Sequence, residues 1–227
     1  MEKSAKLLFT SLTLIIFIFF IISLWLIFVY APTERVMGPV QKIFYFHVPS
    51  AIVTFLSFLV VFIASIVYLS TKNTHWDNIG KSSAEIGVFF CTIVLITGPV
   101  WAKEAWGTWW TWEARLTTTL ILWLIYVAYL LIRKYSENRE QAARFSSVLG
   151  IVGFLDVPII YFSVKWWRGQ HPIIFGPDKE SALEPAMLHA FLFSLFTFIL
   201  FYLFLLLVRT KISMLEDRAS ILKEKLL

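Results

Sequence analysis

Five of the ten tryptophans lie between Trp101 and Trp112, in the segment W-A-K-E-A-W-G-T-W-W-T-W, and Glu113 and Arg115 follow directly. Tryptophan combines the largest flat apolar face of any side chain with one N–H donor, so this cluster suits a broad, planar, amphipathic ligand. A porphyrin is such a ligand. Anchoring belts of tryptophan at membrane interfaces explain the isolated indoles elsewhere in the chain. A belt is spread over many segment ends, so it does not account well for the cluster between Trp101 and Trp112.

Two histidines are candidate ligands for a porphyrin iron. His47 lies in K-I-F-Y-F-H-V-P-S at the start of a predicted helix, where Pro49 suits the first turn, and His171 lies in V-K-W-W-R-G-Q-H-P. Each neutral imidazole can supply one axial nitrogen to a six-coordinate haem iron. A single interfacial histidine is more often a hydrogen-bonded polar residue, so the prediction depends on both lying beside the tryptophans. His189 is a reserve ligand or a helix-packing residue.

Haem also carries two propionates, which need cations or N–H donors. The cations that flank the same segments are Lys103, Arg115, Lys165 and Arg168. Arg115 is the preferred partner because it directly follows the tryptophan cluster.

Asp156 is a carboxylate within a predicted membrane helix, in G-F-L-D-V-P-I-I. A charge at that depth is costly and is often functional, which suggests a proton-carrying or gating role. The alternative is a neutral or hydrogen-bonded side chain that holds a helix kinked by Pro158, and we favour that alternative slightly.

The composition is that of a polytopic membrane protein, with 59% hydrophobic residues, 15% charged residues and a mean hydropathy of +0.76 over 227 residues. About 20 apolar residues span a bilayer as a helix, and six stretches that lack Lys, Arg and Glu are about that long. The sequence therefore predicts an all-α integral membrane protein, a single domain over residues 1–227. Its six transmembrane helices are expected near 7–30, 47–70, 85–101, 116–133, 146–164 and 186–208. The first is too long for a signal-peptide core and should remain as an anchor.

Lysine and arginine counts set the predicted orientation, because short cytoplasmic connections are enriched in them. Cytoplasmic N- and C-termini would put 13 of the 20 basic residues inside. The tryptophan-rich loop, about 101–116, then lies outside together with His47 and His171. This orientation explains the excess of basic residues, so the net positive charge gives no reason to expect nucleic-acid binding. The amphipathic tail, 209–227, is expected to contact a cytoplasmic partner or to lie on the headgroups.

A lone Cys91 excludes a disulfide framework, a cysteine zinc site and a thioredoxin-like pair. Thiol redox chemistry is therefore not expected.

The segment W-G-T-W-W-T-W-E-A-R-L-T resembles the signature of the tryptophan-rich (WWD) haem-handling proteins of cytochrome c biogenesis. With six helices, the chain is most similar to the cytochrome c maturation protein C (CcmC, haem exporter protein C) family. The likeness covers nearly the whole chain and includes F-H-V-P at 46–49, S-A-E-I-G at 83–87 and the run 153–172. Two departures are Glu113, where the family usually has Asp, and Glu104, where Pro commonly follows the lysine.

The resemblance implies that haem is bound at the outer face of the bacterial inner membrane and presented to the haem chaperone CcmE. The implied axial ligands are His47 and His171. The implied haem-binding residues of the loop are Trp106, Trp109, Trp110, Trp112, Glu113 and Arg115. The haem would be b-type and non-covalent, and the implied partners include the ABC transporter subunits CcmA and CcmB and the small subunit CcmD. Any covalent bond would form on the chaperone, so the resemblance assigns no catalytic residue and leaves enzyme status open.

Two alternative functions come from other classes of protein. A membrane-embedded b-type redox protein would place its histidines within the bundle at matched depth. A transporter subunit for haem or another amphipathic solute would show intramembrane polar sites, repeats or broken helices, and Asp156 with Pro158 is the only sign of these.

Overall fold

The structure, a computed structural model, describes residues 2–167 and 183–226. The described elements are seven helices: α1 (Glu2–Trp25), α2 (Phe44–Thr71), α3 (Thr74–Trp106), α4 (Ala114–Tyr135), α5 (Arg139–Phe154), α6 (Asp156–Trp167) and α7 (Pro185–Leu226). A π-helical turn, Leu26–Tyr30, extends α1, and a 3₁₀ turn, Pro39–Ile43, precedes α2. Together they form six spans long and apolar enough to cross a membrane, which confirms the predicted all-α, six-span fold.

The fifth span consists of two helices rather than one. Helices α5 and α6 meet at Leu155, within the predicted segment 146–164. Pro158 has no N–H to donate to the carbonyl of Phe154, four residues earlier, and its ring crowds that carbonyl. The interruption therefore falls where the proline removes a helical hydrogen bond.

The centre of the bundle is an antiparallel pair, α2 and α3, joined by a two-residue connection. Phe58 of α2 packs against Gly87 of α3. The Phe58 ring also stacks on Tyr126 of α4, with ring centroids 3.6 Å apart. On the other side, the hydroxyl of Ser83 bonds to Tyr202 of α7 at 2.9 Å. Small residues and interhelical hydrogen bonds of this kind are typical of membrane helix packing.

Ion pairs connect the helices at one end of the bundle, which we call the inner end. Arg133 of α4 donates two hydrogen bonds to Asp77 of α3, at 2.7 and 2.5 Å. Arg209 of α7 pairs with Glu85 of α3. Asp77 and Arg209 lie beyond the predicted spans 85–101 and 186–208, because α3 begins at Thr74 and α7 continues to Leu226. Glu85 is the first residue of its predicted span.

The tail 209–226 continues α7 and packs against the other helices at this end. Asp217 pairs with Arg139 at the start of α5 and accepts a hydrogen bond from Asn78 of α3 at 2.9 Å. Ser213 donates to the amide oxygen of the same Asn78 at 2.5 Å. Within residues 209–220, the described contacts are therefore with the protein itself.

The opposite end, which we call the outer end, contains the start of α2, the end of α3, the start of α4, the end of α6 and the start of α7. An apolar cluster there joins Phe44, Trp101, Met187 and Phe191, with Leu183 packed against it. The start of α2, which carries His47, thus lies at the same end of the bundle as the tryptophan-rich loop and the start of α4, which carries Arg115.

Candidate functional site

The tryptophan-rich loop links α3 to α4 through the irregular segment 107–113. Gly107 ends α3 with φ of 77°, a left-handed conformation that glycine adopts without steric cost. Its N–H bonds to the carbonyl of Lys103 at 3.0 Å, and the Lys103 ammonium bonds back to the Gly107 carbonyl at 3.1 Å. Lys103 is therefore engaged in ending its own helix.

The indoles of the loop differ in exposure. Trp106, Trp109 and Trp112 are exposed by 37%, 58% and 76%. Trp110 is half-buried and meets Trp112 edge-on, with ring centroids 5.8 Å apart. Trp106, Trp109 and Trp112 thus present aromatic faces to the surroundings of the loop, and such faces are suited to stacking on a planar ligand.

A cavity of about 420 Å³ opens between this loop, the first turns of α4 and the end of α6. Its lining includes Trp112, Glu113 and Arg115 together with Ser163 and Trp167. Residues from the tryptophan motif thus meet residues from the stretch that precedes His171.

Arg115 is a partly buried cation beside this cavity. Within residues 2–167 and 183–226, its guanidinium makes no hydrogen bond or ion pair, although Glu113 and Tyr161 are close enough to interact with it electrostatically. Lys42, another cation of the outer end, instead donates to the carbonyl oxygens of Ile27 and Phe28 in the π-helical turn. Arg115 is thus better placed than Lys42 or Lys103 to bind an anionic group.

His47 is buried at the start of α2, with 6% of its surface exposed. Its Nδ1 lies 2.9 Å from the hydroxyl oxygen of Thr97 on α3. The ring lies edge-on to Trp101, with centroids 5.8 Å apart, and near Gly98. Arg115 is near enough to act electrostatically on the imidazole. His47 of α2 and Arg115 of α4 therefore lie within electrostatic range of each other at the outer end.

Two buried indole N–H groups at this end support an acceptor-bearing ligand. Nε1 of Trp101 and Nε1 of Trp110 have no hydrogen-bond partner among the described residues. A buried donor without an acceptor costs about 1–3 kcal/mol, so such groups usually face a ligand, a water or another chain. Two indole donors, the Arg115 cation and a buried imidazole form a donor set that fits an anionic metalloporphyrin.

The remaining predicted residues are two histidines, His171 and His189, and two cations, Lys165 and Arg168. His171 and Arg168 lie outside the described residues, between Trp167 and Leu183, and the side chain of Lys165 in α6 also lies outside the described part. His189 is exposed at the start of α7, and its Nδ1 lies 3.3 Å from the Tyr30 hydroxyl. That contact is consistent with a helix-packing role.

The surroundings of His47 could not be identified from the sequence alone. Thr97 and Gly98 carry no motif, since threonine in a membrane helix ordinarily bonds to its own backbone. The pair Gly98-Pro99 was the only available signal, because a glycine before a proline near the end of a long helix suggests a close approach by another group.

The fold and the candidate site define a class: a multi-pass membrane protein with a cluster of aromatic and cationic residues at one end of its bundle. A family model for heme exporter protein C matches residues 1–225, and the chain belongs to that family. Membership supports a role in cytochrome c maturation, haem handling within an export complex and a location in the bacterial inner membrane.

Individual relatives agree with this assignment. The chain is 32% identical to heme exporter protein C of Escherichia coli K12 over 203 residues, 88% of this chain and 82% of the relative. It is 35% identical to the Haemophilus influenzae protein of the same name over 195 residues, 84% and 78% of the two chains. A putative cytochrome c biosynthesis ccmC-like mitochondrial protein of Marchantia polymorpha is 36% identical over 150 residues, 66% and 61% of the two chains.

Proposed function

We propose that the protein binds a b-type haem non-covalently at the outer face of the membrane and presents it to the haem chaperone CcmE. The observation that carries this proposal is the meeting of buried His47, the cation Arg115 and the tryptophan-rich loop at one end of the bundle. The name of the family supports haem as the cargo. When bound, haem would supply an iron that imidazole nitrogens can bind and two propionates that a cation can hold.

Each chain residue has a defined task in this proposal. His47 and His171 would bind the haem iron through their imidazole nitrogens, and Arg115 would hold a propionate. The indoles of Trp106, Trp109, Trp110 and Trp112 stack on the porphyrin or enclose it. Glu113, at the residue before α4, is positioned to receive hydrogen bonds or balance the Arg115 charge.

The chemistry proposed for these residues is ligand exchange and presentation. A loop with exposed indoles leaves part of a bound haem accessible to a second protein, which is what transfer to a chaperone needs. The bond to the chaperone forms on a residue of the chaperone, so no residue of this chain is proposed as catalytic.

The proposed assembly contains the ABC transporter subunits CcmA and CcmB, with CcmD as a small further subunit. The support for this assembly is the family's description as a heme exporter. The bilayer surrounds all six spans, and many of their large apolar side chains are exposed.

Absorption spectra of the protein purified after co-expression with CcmE test this function. We expect a low-spin haem spectrum in the wild type and altered ligation or lost haem in His47→Ala and in His171→Ala. The matched control is His75→Ala, an exposed histidine at the start of α3 on the inner end. Wild-type protein without haem from haem-replete cells would contradict the proposal.

The redox alternative receives little support from the histidine positions. His189 is exposed and next to Tyr30, whereas His47 is buried against α3. If both His47→Ala and His171→Ala kept an unchanged haem spectrum, His189 would become the leading ligand and the redox function would be favoured.

A further inference from the structure

The hydrogen bond between His47 and Thr97 has a direction that the surrounding bonds determine. The Thr97 hydroxyl oxygen lies 2.7 Å from the carbonyl oxygen of Ile93 and donates its hydrogen to that oxygen. A hydroxyl has one hydrogen, and a carbonyl can only accept. The contact of 2.9 Å between Thr97 Oγ1 and His47 Nδ1 therefore has Nδ1–H as the donor.

This direction selects one form of the imidazole. A neutral imidazole carries one N–H, so a protonated Nδ1 leaves the lone pair on Nε2. Histidines that bind metals almost always donate their other ring N–H to an oxygen acceptor, which fixes the ring orientation and makes the metal-binding nitrogen more basic. The same arrangement is present here, because His47 Nδ1–H donates to the Thr97 hydroxyl, which in turn donates to the Ile93 carbonyl.

The packing around His47 holds the ring in this orientation. A Cβ added at Gly98 would lie 3.3 Å from His47 Cε1, so the glycine allows α3 to approach the ring closely. Trp101, one turn further along α3, meets the ring edge-on at an interplanar angle of 76°. The imidazole thus packs against one face of α3, which is formed by Thr97, Gly98 and Trp101.

We propose that Thr97 is a positioning residue that holds His47 as the Nδ1–H tautomer and so presents Nε2 as the nitrogen that binds the haem iron. This inference rests on the proposed function of His47. It assigns to a residue of α3 an effect on the retention of haem and on the midpoint potential of the iron.

The first test uses the protein without haem, where the iron cannot influence the result. Nitrogen-15 NMR of labelled histidine reports the tautomer of each imidazole, and His47→Ala identifies the His47 signal. We expect a protonated Nδ1 in the wild type and in Thr97→Ser, and a mixture of tautomers in Thr97→Val. A wild-type His47 protonated at Nε2, or the same tautomer in Thr97→Val, would overturn the inference.

The second test uses the haem-loaded protein purified after co-expression with CcmE. Thr97→Val keeps the side-chain shape and removes the acceptor, and we expect about 10-fold weaker haem retention, as is typical when a second-sphere partner is lost. The midpoint potential of the iron should become more positive, because a less basic imidazole stabilises the ferric state less. Thr97→Ser should restore both properties, which a merely structural role of the threonine does not predict.

The outcomes separate this inference from the function on which it rests. If His47→Ala loses haem but Thr97→Val has wild-type retention and potential, only the role of Thr97 fails. If His47→Ala leaves the haem spectrum unchanged, the assignment of His47 as a ligand fails, and the role of Thr97 fails with it. The melting temperature of each variant in detergent shows whether a loss of haem reflects a loss of fold.

Discussion

At the residue scale, Arg115 has the most specific consequence for ligand binding. Its guanidinium has no hydrogen-bond or ion-pair partner in the described ranges, and it lines the cavity beside Trp112 and Trp167. A charge-assisted hydrogen bond contributes about 1.5–3 kcal/mol. Loss of one such bond to a propionate predicts about 10- to 100-fold faster haem loss in Arg115→Ala, with the ligation spectrum unchanged.

The measurement is the rate of haem transfer to an excess of a haem-acceptor protein. Arg35→Ala is the control, since Arg35 is an exposed cation of the outer loop outside the cavity. A changed ligation spectrum with normal retention would assign Arg115 to the iron environment instead of a propionate.

Gly98 gives a second prediction at this scale. An alanine Cβ there would lie 3.3 Å from His47 Cε1, closer than ordinary van der Waals contact, so the ring must move by a few tenths of an ångström. We expect Gly98→Ala to change the haem spectrum or its low-spin fraction while the fold persists. Gly80→Ala, whose added Cβ would meet Tyr129 at an ordinary 3.4 Å, should leave the spectrum unchanged. Identical spectra for both variants would contradict the close packing of His47 against Gly98.

At the element scale, the sequence predicted the six spans because long uncharged stretches are visible without structural information. It did not predict how far α3 and α7 extend beyond the apolar core. Glu85 is the first residue of the predicted span 85–101, and the extensions carry Asp77 and Arg209, which lie outside the predicted spans. Their charges are compensated by partners on other helices, such as Arg133 for Asp77, and such pairings between distant segments have no local signal.

Some residues of the candidate site could be proposed from the sequence alone. The tryptophan motif and His47 stand out by residue type and by resemblance, and the structure brings His47, Arg115 and the loop to the same end. Thr97 was not predictable, because its role depends on which helix faces His47. That neighbour is determined by packing between α2 and α3, not by spacing along the chain.

The contact between α2 and α3 gives a prediction about stability. A Cβ at Gly87 would lie 2.5 Å from Phe58 Cε1, and Phe58 cannot move away easily because it stacks on Tyr126 at 3.6 Å. Gly87→Ala should therefore lower the free energy of unfolding by about 1–3 kcal/mol, the usual cost of overpacking. Denaturant titration in detergent measures this change, and an unchanged midpoint would show that the two helices can separate at little cost.

Asp156 gives a prediction about the helix break. Its Oδ2 is buried without a hydrogen-bond partner among the described residues, so the carboxylate gains little from its surroundings. Asp156→Asn removes the charge at nearly constant shape, and we expect equal or higher thermal stability with cytochrome c maturation retained. Lost maturation with normal folding and haem content would instead support a gating carboxylate and the transporter alternative.

The largely buried carboxylate of Asp77, at the inner end, is the control for this substitution. Asp77→Asn breaks the paired hydrogen bonds to Arg133 and leaves that cation without its counter-charge. We expect it to destabilise the protein by about 3 kcal/mol or more, as is usual for a buried ion pair that loses one partner.

At the scale of the whole molecule, the two ends of the bundle differ in how their polar groups are used. At the inner end, cations are paired with carboxylates across helices, as in Arg133 with Asp77 and Arg209 with Glu85. At the outer end, Arg115 and the indole N–H groups of Trp101 and Trp110 have no such protein partners within the described ranges. The inner end is therefore stabilised by its own contacts, and the outer end is suited to a ligand.

This difference has biological meaning only if the outer end faces away from the cytoplasm, as the distribution of basic residues predicts. The native Cys91 is buried, so single introduced cysteines can report the orientation. We expect Val36→Cys, at a position 90% exposed in the loop before α2, to react with a membrane-impermeant maleimide in intact spheroplasts. Glu137→Cys, in the exposed connection between α4 and α5, should react only after permeabilisation. The reverse pattern would place the tryptophan-rich loop in the cytoplasm, and presentation of haem at the outer face would then be impossible for this site.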